Sequence, residues 1–156
     1  MKALKLISAV AICLVAGFIG SIFTTPAIPT WYAGLNKPSF NPPNWIFAPV
    51  WTTLFILMGI AVFLVWEKRG ESKLAQYGIY LFGLQLAMNT LWSILFFGMQ
   101  SPLAALFDIA VLWVLILACI ITFWKVAKLA GWLMLPYILW VSFASILNAY
   151  IVLLNR

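Results

Sequence analysis

Residues 45–66 read WIFAPVWTTLFILMGIAVFLVW, 22 residues without a charged side chain. A helix of that length rises about 33 Å, enough to cross a hydrocarbon core about 30 Å thick. Four similar runs surround it, at 4–24, 74–98, 102–124 and 131–154. In lipid every backbone amide must be satisfied within the spanning structure, and these runs lack the alternation of a membrane barrel strand. The sequence therefore predicts an all-α membrane protein, a five-transmembrane-helix bundle forming one domain over residues 1–156. Composition points the same way: 66% of residues are hydrophobic and 8% charged, far from a soluble balance. The basic start followed by an apolar run has the look of a signal peptide. The run continues to Phe23, however, and Ile12 before Cys13 spoils a lipoprotein cleavage site, so the segment is expected to stay as the first helix.

The net charge of +6 would suggest nucleic acid in a soluble protein, but here the basic residues sort by side and no nucleic-acid partner is expected. With five spans, Lys2, Lys5, Lys68, Arg69, Lys73, Lys125 and Lys128 share one face, and only Lys37 and Arg156 fall on the other. The positive-inside rule then predicts a cytoplasmic N-terminus, with the first connection and the C-terminus outside. The chain has no histidine, which removes the commonest haem and zinc ligand and the usual general base. Cys13 and Cys119 lie singly in spans and read as apolar packing residues, so no metal site is expected. Phosphate loops and hydrolytic triads are absent from the sequence. The turn WEKRGESK, residues 66–73, reads as a solvated connection.

Residues at i, i+4 and i+7 share a helix face. In the third span Gln85, Asn89, Trp92 and Phe96 form such a stripe, expected to face inward because polar groups are costly in hydrocarbon. Gly83 and Ala87 lie on the opposite side, where small residues admit a second helix; a homodimer face and ordinary packing within the bundle are equal readings. Ala16 and Gly20 make a weaker small pair on the first helix. Two aromatic stripes, Trp51–Phe55–Met58–Val62 and Trp140–Ala144–Leu147–Ile151, suit either core filling or a flat apolar guest. Asp108 is the one carboxylate inside a span. It reads as a structural hydrogen-bonding acceptor ahead of a functional acid, alongside Gln85 and Asn148.

The connection 25–44 is the least helical part of the chain. Its WYAGLNKPSFNPPNW, residues 31–45, holds prolines that stop helices and an Asn-Pro pair that favours a turn, so a rigid excursion is expected. This stretch with the following span, QLAMNTLWSILFFGM at 85–99 with Asp108 downstream, and LPYILWVSFASILNAYI at 135–151 together resemble the tryptophan-rich sensory protein and translocator protein family, TspO/MBR, also called the peripheral benzodiazepine receptor family. The likeness spans nearly the whole chain in order and spacing.

The resemblance implies a five-helix bundle, often dimeric, that binds protoporphyrin IX and related tetrapyrroles as ligands, with no obligatory cofactor. It implies a pocket lined by Trp51, Asn89, Trp92, Trp140, Ala144 and Leu147, its outer end closed by the first connection; the rigidity of that connection suits a lid that holds Trp31 and Asn36 over the ligand, with Asn36, Lys37 and Asn41 as polar groups at the mouth. It associates some bacterial members with light-dependent porphyrin breakdown involving Trp51 and Trp140; transport of porphyrin or lipid is a further reading. The bacterial type implies a bacterial or archaeal cell membrane, with membrane lipid as the other partner. Alignment through Asp108 puts Ala104 where animal members carry a pocket tryptophan, which would reshape the cavity. The sterol pattern is met only formally, by Leu147, Tyr150 and Arg156, and cholesterol is not expected as the ligand.

Overall fold

The computed structural model describes residues 1–156. Five helices long and apolar enough to cross a membrane make up almost all of it: α1 Lys2–Ala27, α2 Phe47–Trp66, α3 Lys73–Ser93, α4 Pro102–Val126 and α5 Lys128–Leu154. The chain is an integral, multi-pass membrane protein. Helix α4 packs along both α3 and α5, α1 along α2 and α3, and α2 against α5.

Local sequence sets the helix ends. The Ser72 hydroxyl accepts from the Ala75 N–H at 3.4 Å, and that of Ser101 from the Ala104 N–H at 3.3 Å, satisfying donors that the first helical turn leaves free. Pro102 follows Ser101 at a position where its missing N–H costs nothing. The spans expected at 4–24 and 131–154 are longer than expected at their loop-side and basic ends respectively. Helix α1 passes through Pro26 to Ala27, since a proline in the final turn sacrifices one bond only. Helix α5 starts at Lys128, leaving Ala127 alone, in an extended conformation, between α4 and α5.

The first connection is more ordered than a bare excursion. It holds two short 3-10 turns, Tyr32–Gly34 and Asn44–Ile46. Across it the Asn36 N–H donates to Asn155 Oδ1 at 2.9 Å, while Asn155 Nδ2 donates to the Asn36 carbonyl at 2.8 Å. The connection is thereby strapped to the end of α5.

Close approach between helices depends on small residues at the basic end. A Cβ on Gly59 would stand 2.5 Å from Val10 Cα, and one on Gly131 would stand 2.6 Å from the Trp124 ring. At that end Lys5 Nζ donates to Glu67 Oε1 at 2.8 Å and also sits 5.9 Å from the Trp66 ring. The turn at 66–73 thus does more than stay solvated: Glu67 fastens it to α1, and the hydrogen bond from Lys5 holds its carboxyl below the ordinary value.

The inward stripe of α3 is as expected. Gln85, Asn89 and Phe96 are buried. Tyr137 of α5 lies between the two amides, its hydroxyl accepting from Asn89 Nδ2 at 2.7 Å and donating to Gln85 Oε1 at 2.7 Å. Gly83 and Ala87 face outward, and a Cβ on Gly83 would meet open space. Asp108 differs from the expectation of a structural acceptor. It is buried, yet neither carboxylate oxygen has a hydrogen-bond partner, so it pins no neighbouring element.

Candidate ligand cavity

After Ser93 the α3 backbone widens into a π-helical turn, Ile94–Gly98. Its end is marked by Met99 N–H bonding the Ile94 carbonyl at 2.7 Å and Ser101 N–H the Leu95 carbonyl at 3.0 Å, with Gln100 in the left-handed region at φ 52°. Such bulges re-aim side chains. Here the adjacent residues Phe96 and Phe97 both reach one cavity wall, their rings 4.8 Å apart.

That wall belongs to a cavity of about 400 Å³ near the loop end of the bundle, within the usual range for small-molecule sites. Trp51 and Phe55 come from α2, Asn89 and Trp92 from α3, and Trp140, Ala144 and Leu147 from α5. These include all six residues expected from the second, third and fifth helices. Two of the polar groups are already engaged. Trp92 Nε1 donates to Asn148 Oδ1 at 3.0 Å, and Asn148 Nδ2 donates to the Pro102 carbonyl at 2.8 Å, so Asn148 is both a wall residue and a fastening between α5 and α4. Trp140 Nε1, by contrast, is buried without a partner.

Trp31 and Asn36 do not form part of the wall. Trp31 stands edge-on to Phe96 and Phe97, at ring separations of 5.6 and 6.5 Å, and supports these rings from behind. Asn36 is turned to Asn155. Lys37 Nζ donates to the carbonyls of Tyr32 and Leu35 at 2.8 and 3.1 Å, and Asn41 Oδ1 accepts from the Tyr32 hydroxyl at 3.0 Å. These groups are thus engaged within the connection or with the end of α5. Burial raises the Tyr32 phenol above its ordinary pKa, against a smaller lowering by Asn41. The loop residues that do reach the wall are Ile28, Tyr32 and Asn44. Ala104 is not on the wall, so the small residue there does not enlarge the cavity directly.

The wall contributed by α1 escaped the sequence reading. Gly17, Gly20, Ser21 and Thr24 line it at spacings of three and four. The signal was a small and hydroxyl-bearing stripe beside the Ala16–Gly20 pair. Its hydroxyls are partly self-satisfied: Ser21 donates to the Phe18 carbonyl at 2.7 Å and Thr24 to that of Gly20 at 3.1 Å. In lipid this arrangement keeps them tolerable while leaving lone pairs toward the cavity.

The order of these features along the chain, from the proline-rich connection to the Trp140 helix, is matched by the model of the TspO/MBR family over residues 9–154. The chain belongs to the TspO/MBR family. It is 47% identical to the Tryptophan-rich protein TspO of Chlorobaculum tepidum over 152 residues, covering 97% of this chain and 96% of that one. A Tryptophan-rich protein TspO of Archaeoglobus fulgidus is 45% identical over 157 residues, covering 99% of both chains. The human Translocator protein is 38% identical over 134 residues, covering 84% of this chain and 78% of the other. These relatives therefore share most of this chain's length.

Proposed function

We propose that this TspO/MBR protein is a membrane receptor for tetrapyrroles, with protoporphyrin IX as the representative ligand, bound in the cavity near the loop end. The observation that carries the proposal is the placing of three indoles, Trp51, Trp92 and Trp140, around one largely apolar cavity, with 16 of 26 wall residues hydrophobic. A flat macrocycle gains from ring stacking as well as from burial. Asn44 and the α1 hydroxyls are the polar groups available to its acidic substituents. An N-terminus on the cytoplasmic side, proposed from the distribution of lysines and arginines, places this cavity toward the outer leaflet.

Titration of the detergent-solubilised protein with protoporphyrin IX, followed by tryptophan quenching, tests the reading. Saturable quenching lost in Trp51→Ala/Trp140→Ala supports it. Linear quenching that the double variant leaves unchanged defeats it. The shared exposure of Trp51 and Trp140 to the cavity also favours a second reading, light-driven oxidation by bound porphyrin. Faster bleaching of the porphyrin in the wild-type complex than in free solution or in Trp51→Phe would establish that chemistry; equal rates would leave binding alone.

A further inference from the structure

The cavity has two approaches, one through the loop end and one through the side of the bundle. The loop end is fastened. The paired bonds between Asn36 and Asn155 hold the connection to α5, and Lys37 ties the loop to itself. The side is different. On α1, Phe18 and Thr25 line the cavity and are also exposed, and on α2 Ala48 and Thr52 do the same. Phe18 is 66% exposed. A wall residue that is exposed on a membrane-crossing helix faces lipid, so these four positions, together with Leu14 of α1, form the two lips of a lateral opening.

The opening is confined to the loop-side half of the α1–α2 seam. Toward the basic end, Gly59 lies against the Val10 backbone, and a Cβ on Gly17 would stand 2.5 Å from the Phe55 ring. The backbones close the seam at Gly59, and Leu14, above that contact, is still an exposed wall residue. Nor can α1 readily lean across to close the upper half, since its other side is held on α3. Thr90 Oγ1 donates to the Ala16 carbonyl at 3.2 Å, and Gly20 packs on Ser93.

We infer that ligands enter this cavity sideways from the bilayer, between the loop-side halves of α1 and α2, and that the site takes amphiphiles already dissolved in the membrane. The inference rests on the proposed use of the cavity as a ligand site. The chemistry of the lips suits such a guest. An apolar body passes between the Phe18 ring and the Ala48 methyl, while a polar end remains near the hydroxyls of Thr25 and Thr52. Thr52 already donates to the Ala48 carbonyl at 2.8 Å, so it can lie against lipid without an unmet donor.

The test measures association of protoporphyrin IX delivered in phosphatidylcholine vesicles to reconstituted protein by stopped-flow tryptophan quenching, after equilibrium titration in detergent. Narrowing the seam with Thr52→Trp or Ala48→Trp is expected to slow association at least tenfold, and widening it with Phe18→Ala to speed it several-fold. Releasing the strap with Asn155→Ala is expected to change the rate by less than twofold. Phe18→Ala adds no bulk, so it remains informative if the tryptophan variants fail to fold. Saturable equilibrium binding with seam variants at the wild-type rate and Asn155→Ala accelerated would overturn lateral entry while leaving the site intact. Absence of saturable binding in the wild type would remove the site and the entry route together.

Discussion

The two ends of the bundle are built from the same five helices and differ in how closely the helices can approach. At the basic end Gly59 and Gly131 let backbone and ring meet other helices with no room for a Cβ, and the Lys5–Glu67 pair closes α1 onto the following turn. At the loop end the facing positions carry Trp51, Trp92, Phe96 and Trp140. Large rings meet across helices there, as where Phe47 of α2 stands edge-on to Trp140 of α5 at 6.1 Å. The solid end is closed by contacts at glycine, while the hollow end combines large rings with small residues such as Gly17, Gly20 and Ala144. A cavity in a helical bundle can arise from bulk at the contacts as readily as from its absence, because rigid rings cannot fold inward to fill the space between them.

The sharpest way to break this contrast is to put bulk into the solid end. Gly59→Leu forces α1 from α2 at Val10, and overpacking of this kind costs about 3 kcal/mol or more. The expected result is a large drop in the thermal midpoint in detergent, followed by circular dichroism, or failure to assemble. A midpoint at the wild-type value would show that the two helices are not locked there. At the hollow end, Trp51→Ala/Trp140→Ala removes two stacking faces worth about 0.5–1.5 kcal/mol each. Porphyrin affinity should fall roughly tenfold to a hundredfold with the fold retained, a separation of binding from stability that Gly59→Leu cannot show.

Between the ends, Tyr137→Phe deletes the hydroxyl shared by Asn89 and Gln85. Side-chain hydrogen bonds between membrane helices average about 0.6 kcal/mol each, so the loss is expected at about 1–2 kcal/mol by detergent unfolding. An unchanged midpoint would mean that the amides find other partners. Gly83→Leu/Ala87→Leu adds bulk to a face with open space, so monomer stability should move by less than about 0.5 kcal/mol. If the proposed dimer uses that face, crosslinking should fall sharply; an undiminished crosslinked band would place the interface elsewhere.

The smallest effect concerns Glu67. Its pKa is lowered in the folded state, chiefly by the hydrogen bond from Lys5. The stabilisation it contributes is therefore present above the ordinary glutamate pKa and is lost as pH falls through the depressed folded value. Glu67→Gln should remove that acid-side dependence while lowering stability at neutral pH only slightly. An identical pH profile in the variant would show the pair to be inert.

The sequence by itself determined the five spans, the inward stripe of α3 and the six pocket residues on α2, α3 and α5. Uncharged length is a one-dimensional property, helical faces repeat at a fixed angle, and the family motifs recur in order. Tertiary structure alone decided the rest. The turn that carries Phe96 and Phe97 is π-helical, a wider winding that no periodicity announces. Asn36 and Trp31 belong to the cavity's frame because a partner 119 residues away in one case, and the rings of a neighbouring helix in the other, outcompete the cavity for them. The small and hydroxyl residues of α1 had a readable spacing, but only the packing of α1 on α3 turned that stripe toward a ligand site and left its edge open to lipid.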